Sequence, residues 1–118
     1  MQLLTEVLTG PEKWCKNMLI KGEKFTENGD LKSFDQVCLV GAIAVVTNHL
    51  RDNRMSEFII MANSLNFMKV RDMMSEVLQD MYPKFCGYIP GFNNDIQTTF
   101  DQVYQVAKET DRRMQLQQ

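Results

Sequence analysis

The sequence predicts a mainly α domain, a compact bundle of five to six helices around a central apolar helix at about residues 34–50, with a small β-hairpin near 24–32. Three observations carry that prediction. The segment VCLVGAIAVV, residues 37–46, is apolar nearly all round, as a helix covered on several sides must be. Apolar residues recur at spacings of three and four along much of the remaining chain, the period of a helix with one buried face. Asn28-Gly29, the dipeptide that most easily adopts the positive φ angles of a two-residue hairpin turn, stands between Lys24-Phe25-Thr26 and Leu31-Lys32.

Taken in order, residues 2–8 read as a short amphipathic helix with Leu3, Leu4, Val7 and Leu8 inward. Thr9-Gly10-Pro11 breaks it, and Pro11 suits the first position of a second helix that carries Trp14, Cys15, Met18 and Leu19 on one face and ends near Gly22. An isolated hairpin is marginal in water, so Phe25 and Leu31 are expected to pack on the helices. Ser33 with Gln36 fits a capping box for a helix from Phe34 to about Leu50. Gly41 costs that helix about 1 kcal/mol of propensity against Ala, and close approach by a neighbouring helix or the hairpin is the simplest compensation. Beyond the polar break at 51–54, Ser56 is a plausible cap for a helix through Phe58, Ile59, Ala62 and Leu65. A further pattern uses Val70, Met73, Met74, Val77, Leu78 and Met81, either continuous with that helix or a separate one. Tyr82-Pro83 ends the region, because a residue before proline avoids helical angles. KFCGYIPGFNND, residues 84–95, reads as a loop by its Gly and Pro content. Thr99 with Gln102 gives a second capping box, opening a last helix with Phe100, Val103, Val106 and Ala107 inward and a frayed DRRMQLQQ end.

Composition bounds the function. At 118 residues the chain is expected to form one globular domain, 1–118, with a core that needs neither disulfide nor metal. The apolar share of 44% and the charged share of 24% are globular. A net charge of −2 removes the general electrostatic case for nucleic acid, which rests on a basic stripe displacing counterions from phosphates. MQLLTEVLTGPEK lacks the basic start and apolar stretch of a secretory signal, and no apolar run approaches the roughly 20 residues of a membrane span. A cytoplasmic domain is expected. Cys15, Cys38 and Cys86, odd in number and widely spaced, are expected as reduced thiols.

No complete catalytic or cofactor motif occurs, and no cofactor is expected. A metal site would have to draw Cys15, Cys38, Cys86 and His49 from four separate segments, with no paired spacing such as C-x-x-C to support it. Cys38, placed in the second turn of the central helix, is more simply a small core residue than a nucleophile. On one straight helix His49 would lie roughly 16 Å away along the axis, too far to serve Cys38 as a base, and its plainer role is at the helix end. The best candidate for ligand contact is the stretch Phe92, Asn93, Asn94 and Asp95 before the last helix, with Trp14 or Tyr88 flooring a crevice beside it. The competing reading has the Asn and Asp capping that helix and Trp14 anchoring the core. Nine methionines mostly fill the core, with Met73-Met74 the place to look for an adaptable partner surface.

Trp14, Asn28-Gly29-Asp30, Cys38-Leu39-Val40-Gly41-Ala42-Ile43 and Asn94-Asp95 followed by Thr98 and Val103 together resemble the pattern of a small uncharacterised bacterial and phage domain family. Its members share a tryptophan, a glycine turn, a C-L-x-G-A segment and a late W-N-D or similar loop leading into a final helix; here Phe92 and an extra Asn replace the Trp-Asn-Asp. The resemblance implies a compact helical domain, a phage or bacterial source and candidate positions, with no reaction attached. Two functions follow as expectations. The first is a non-catalytic module binding a protein partner, a small polar ligand or a second copy of the chain. The alternative is a small hydrolase or transferase in which Cys38 and Asp95 meet across the fold and Asn94 polarises a substrate group.

Overall fold

The structure, a computed structural model, describes residues 2–47 and 65–117. It is mainly α. Among the described residues five α-helices occur: α1 (Leu4–Val7), α2 (Leu39–Val46), α3 (Leu65–Met81), α4 (Ile89–Asn94) and α5 (Phe100–Leu116). Four short strands, β1 (Ile20–Lys21), β2 (Lys24–Phe25), β3 (Leu31–Ser33) and β4 (Gln36–Val37), pair as two antiparallel ladders, β1 with β4 and β2 with β3. The helix expected from Ser56 through Phe58, Ile59 and Ala62, the polar break at 51–54 and His49 lie outside the described residues, while Leu65, the last apolar position of that pattern, is the first residue of α3.

Residues 39–46 of the apolar segment form α2, and most of its side chains are buried. Leu39, Gly41, Ala42, Ile43, Ala44 and Val46 are all buried, with only Val40 and Val45 partly open. α1, α3 and α4 pack on it, and α5 closes the core against α1 and α3. Leu4, Leu8, Leu39, Ile43, Met74, Leu78 and Val103 are among the side chains that interlock there. α5 opens on the expected capping box: the Thr99 amide donates to Gln102 Oε1 at 2.9 Å, and the Gln102 amide donates to Thr99 Oγ1 at 3.4 Å.

Four local expectations are corrected. The central helix begins at Leu39 instead of Phe34, because Gln36 and Val37 are drawn into β4, where Val37 faces Ile20 and Gln36 faces Lys21. Long-range strand pairing outweighs the Ser33 and Gln36 capping pattern, and Cys38 becomes the N-cap of α2 instead of a second-turn residue. The segment 14–19 is not helical beyond a 3₁₀ turn at Pro11–Lys13. Trp14 forms a parallel bridge to Val37, and the Cys15 amide donates to the Val37 carbonyl at 3.0 Å, so these residues are held extended alongside β4. The hairpin at 24–33 exists, but its loop is longer than two residues: the Thr26 amide reaches the Asp30 carbonyl at 2.8 Å, and Gly29 supplies the single positive φ, 83°. The stretch 84–95 contains α4, with Pro90 in its first turn where the missing amide hydrogen costs nothing.

The end of α5 is also anchored rather than frayed through Arg113. Asp111 is buried, and its carboxylate accepts the Leu4 amide at 2.8 Å and the Thr5 amide and hydroxyl at 3.0 Å each. A side chain near the end of the chain therefore caps the first helix, supplying acceptors to amides that have no partner within α1.

Candidate functional site

Asn93 organises the region where the extended N-terminal segment, α2 and α4 meet. It lies on the inner face of α4 with Ile89 and Phe92, and it is 1% exposed. Its Oδ1 accepts the Trp14 indole N–H at 2.8 Å and the Leu39 amide at 3.0 Å. Its Nδ2 donates to the Cys15 carbonyl at 3.1 Å and to Asn94 Oδ1 at 2.9 Å. All four bonds that a carboxamide can make are used, and each of them ends on a different residue. One of these partners, the Leu39 amide, belongs to the start of α2, where a backbone donor would otherwise lack an acceptor.

Beside this hub opens a cleft of about 340 Å³ lined by Asn17, Met18, Leu19, Cys38, Val40, Pro90, Asn93 and Asn94. Among the described residues no charged side chain lines it. Asn17 takes a positive φ of 64°, a conformation asparagine tolerates better than most residues, and its amide donates to Asn94 Oδ1 at 2.7 Å. That bond and the Asn93 bond occupy the Asn94 carbonyl oxygen and turn its Nδ2 to the remaining side. Met18, 48% exposed, forms part of the apolar wall with Leu19, Val40 and Pro90.

Cys38 is part of the cleft lining while remaining almost entirely buried, at 9% exposure. Its Sγ accepts the Gly41 amide at 3.3 Å. Burial pushes the Cys38 thiol above its ordinary pKa, while the backbone amides of Gly41, Val40 and Cys38 itself pull in the opposite direction without cancelling it. The Cys15 thiol is likewise raised, first by burial and then by the neighbouring Cys38, with Lys21 opposing.

The structure brings Cys38, Asn93 and Asn94 to one cleft and leaves the other expected site residues outside its lining. Trp14 is held by its indole N–H on Asn93, by a tilted contact with Phe100 at 6.2 Å and by Lys16 above its ring at 5.3 Å. Phe92 is 1% exposed, stacked on Tyr82 and edge-on to Phe85, so it is part of the core. Tyr88 is exposed, and its ring lies over Gly91. Asp95 serves the turn before α5: its Oδ1 accepts the Gln97 amide at 2.9 Å, and its carbonyl takes the Lys16 ammonium at 2.6 Å. Among the described residues no group of three His, Cys, Asp or Glu is placed to hold a metal ion, and no helix is long and apolar enough to cross a membrane.

Asn17, Met18, Leu19, Val40 and Pro90 were not expected in a site. Their signal was weak: Met18 and Leu19 fit a helical stripe, and only the asparagine at 17 hinted at a left-handed break. A larger depression of about 500 Å³ lies against α1 and α5, but its charged groups are largely tied to one another or to backbone. Arg112 and Arg113 hold Glu109, Arg113 also holds Asp80 at 2.8 Å, and Asp111 caps α1.

These features define a mainly α fold in which a buried asparagine on the short helix α4 locks an extended tryptophan-bearing segment to the capped start of α2. The chain belongs to the family of unknown function DUF6197, whose model matches residues 3–113. Comparison with curated proteins and with solved structures returns no match.

Proposed function

We propose that this domain is a non-catalytic binding module whose cleft beside the start of α2 receives an uncharged group, either a small polar ligand or a side chain of a protein partner. The observation that carries the reading is the composition of the cleft among the described residues: apolar walls from Met18, Leu19, Val40 and Pro90, amide groups from Asn17 and Asn94, and no charged side chain. Its volume is that of a small-ligand pocket, and the few amides supply orientation while the apolar walls supply contact area. A bound carboxylate or ammonium would find no countercharge in the lining, so neutral groups are favoured.

Cys38 and Asn94 share the cleft, which supports the hydrolase or transferase alternative to that extent. A nucleophilic cysteine needs a base or another means of lowering its pKa, however, and Cys38 is shifted the other way, with Asp95 engaged in its own turn. The binding module is therefore the stronger reading.

The test is a methyl-resolved NMR titration with a set of neutral, amide-bearing fragments. Shifts concentrated on Met18, Leu19 and Val40, and lost in a folded Val40→Glu variant, are the expected result. Shifts confined to other surfaces, or unchanged in the variant, would refute the assignment of the cleft.

A further inference from the structure

We propose that Cys15 and Cys38 form a redox couple, able to close to a disulfide within the folded domain when a peroxide reaches Cys38 through the cleft. The argument begins with the backbone. Trp14 bridges Val37 in parallel register, so the next residues along each strand, Cys15 and Cys38, are neighbours across the same pair. Three ties hold them there. The Cys15 amide donates to the Val37 carbonyl at 3.0 Å; Asn93 Nδ2 grips the Cys15 carbonyl at 3.1 Å; and Asn93 Oδ1 accepts the Leu39 amide at 3.0 Å. The Cys15 amide thus lies directly on residue 37, and one carboxamide, that of Asn93, bridges the Cys15 carbonyl to the Leu39 amide, which fixes residue 15 beside this segment. At the Trp14–Val37 bridge the ordinary spacing of paired strands, about 4.8 Å, falls within the roughly 4.4–6.8 Å between Cα atoms that a disulfide spans, and Cys15 and Cys38 follow that bridge directly. Corresponding positions in parallel register place their side chains on the same face. The influence of Cys38 on the Cys15 thiol agrees with that proximity.

The two thiols differ in access. Cys38 lines the open cleft and Cys15 does not, although both are buried by overall exposure. Cys38 is therefore the first to react and Cys15 the resolving partner. In the first step the small fraction of Cys38 that has released its proton to solvent, with no base to assist it, attacks a peroxide oxygen slowly: an S–O bond forms, the O–O bond breaks, and two electrons pass from sulfur to oxygen. The departing hydroxide takes up a proton and leaves as water. In the second step Cys15 sulfur attacks the sulfenic sulfur of Cys38, forming S–S and breaking S–O. The hydroxide released combines with the Cys15 proton as a second water. A dithiol reductant reverses the closure. Because burial holds both thiols protonated, the rate rises with pH through their titration.

The experiment treats the folded protein with hydrogen peroxide, alkylates free thiols after unfolding, and maps the peptides without reduction. The expected result is an intramolecular Cys15–Cys38 linkage, loss of two hydrogens from the intact mass, cleavage by a dithiol, and retention of the pattern in a Cys86→Ser variant. A folded variant carrying both Cys15→Ser and Cys86→Ser should instead trap Cys38 as a sulfenic acid that dimedone labels. Separate alkylation of Cys15 and Cys38 at peroxide doses that oxidise the exposed Cys86 would overturn the proposal. Linkage that forms only after unfolding, or between two chains, would overturn it equally.

Discussion

Replacing Asn93 by Ala should be the most damaging single polar substitution in this domain, and its cost can be worked from the four bonds it breaks. The Leu39 amide and the Cys15 carbonyl are buried, and the Trp14 indole N–H is half-buried. Asn94 Oδ1 keeps the Asn17 amide and loses little. A buried donor or acceptor left without a partner costs about 1–3 kcal/mol. With the indole counted at the lower end because water can reach it, the sum is about 3–7 kcal/mol, a large part of the roughly 5–15 kcal/mol that holds a domain folded. Urea unfolding measures it directly: for a slope of about 2 kcal/mol per molar, the midpoint should fall by about 1.5–3.5 M with the slope unchanged. Trp14→Phe removes only one of the four bonds and should cost about 1 kcal/mol for that bond. The pair Trp14→Phe and Asn93→Ala should then be non-additive by about the same 1 kcal/mol, because each deletes one end of a shared contact. A loss below about 1 kcal/mol for Asn93→Ala, or full additivity of the pair, would refute the reasoning, since it would mean that the buried partners are satisfied without the carboxamide.

Asp111→Ala removes three acceptor contacts from the start of α1 and should cost about 2–4 kcal/mol, with Leu4 and Thr5 amide hydrogen exchange accelerating before that of α2. Gly41→Ala should destabilise despite the roughly 1 kcal/mol gained in helix propensity, because the added Cβ would collide with the Leu19 carbonyl, a backbone atom that cannot yield locally; chemical denaturation gives the sign. Glu109, bonded by Arg112 and Arg113, has its pKa lowered from 4.5 to about 2. A depressed carboxylate pKa adds stability above the unfolded value, and that contribution is lost as pH falls through the folded value. Glu109→Gln should therefore flatten the acid slope of stability between about pH 4.5 and 2, most visibly at low salt.

Legibility in the sequence tracked how local each determinant is. The core of α2 was readable because ten successive apolar residues leave few alternatives, and the start of α5 because both halves of its capping box lie within four residues. The close approach inferred at Gly41 is real, but its partner is the Leu19 carbonyl in an extended segment that spacing alone made helical. Trp14, Cys15, Met18 and Leu19 satisfy helical periodicity perfectly well; what decides against the helix is hydrogen bonding of Cys15 to residue 37 and of Leu19 to residue 38, 22 and 19 positions away. No local signal in either segment announces that pairing. The same non-local choice shortened the central helix and moved Cys38 from its second turn to its cap.

Asn93 was identified as a site residue for a reason that differs from its structural role, and the difference was available in the spacing. Ile89, Phe92 and Asn93 stand at i, i+3 and i+4, so once Pro90 is accepted as a first-turn residue, Asn93 shares the buried face of a helix. A carboxamide in that position must find four partners from the protein itself, and it finds them on three separate segments. Any ligand function in the family pattern around this loop is consequently constrained by a fold function: Asn93 has no bond left to give. What remains for a ligand is the next residue, Asn94, whose oxygen is occupied by Asn17 and Asn93 while its amide nitrogen is not bonded among the described residues. Asn94→Ala should therefore weaken fragment binding at the cleft several-fold while shifting the urea midpoint far less than Asn93→Ala. Equal effects of the two substitutions on stability, or unchanged fragment affinity in Asn94→Ala, would show that the division between the locking residue and the ligand-facing residue is wrong.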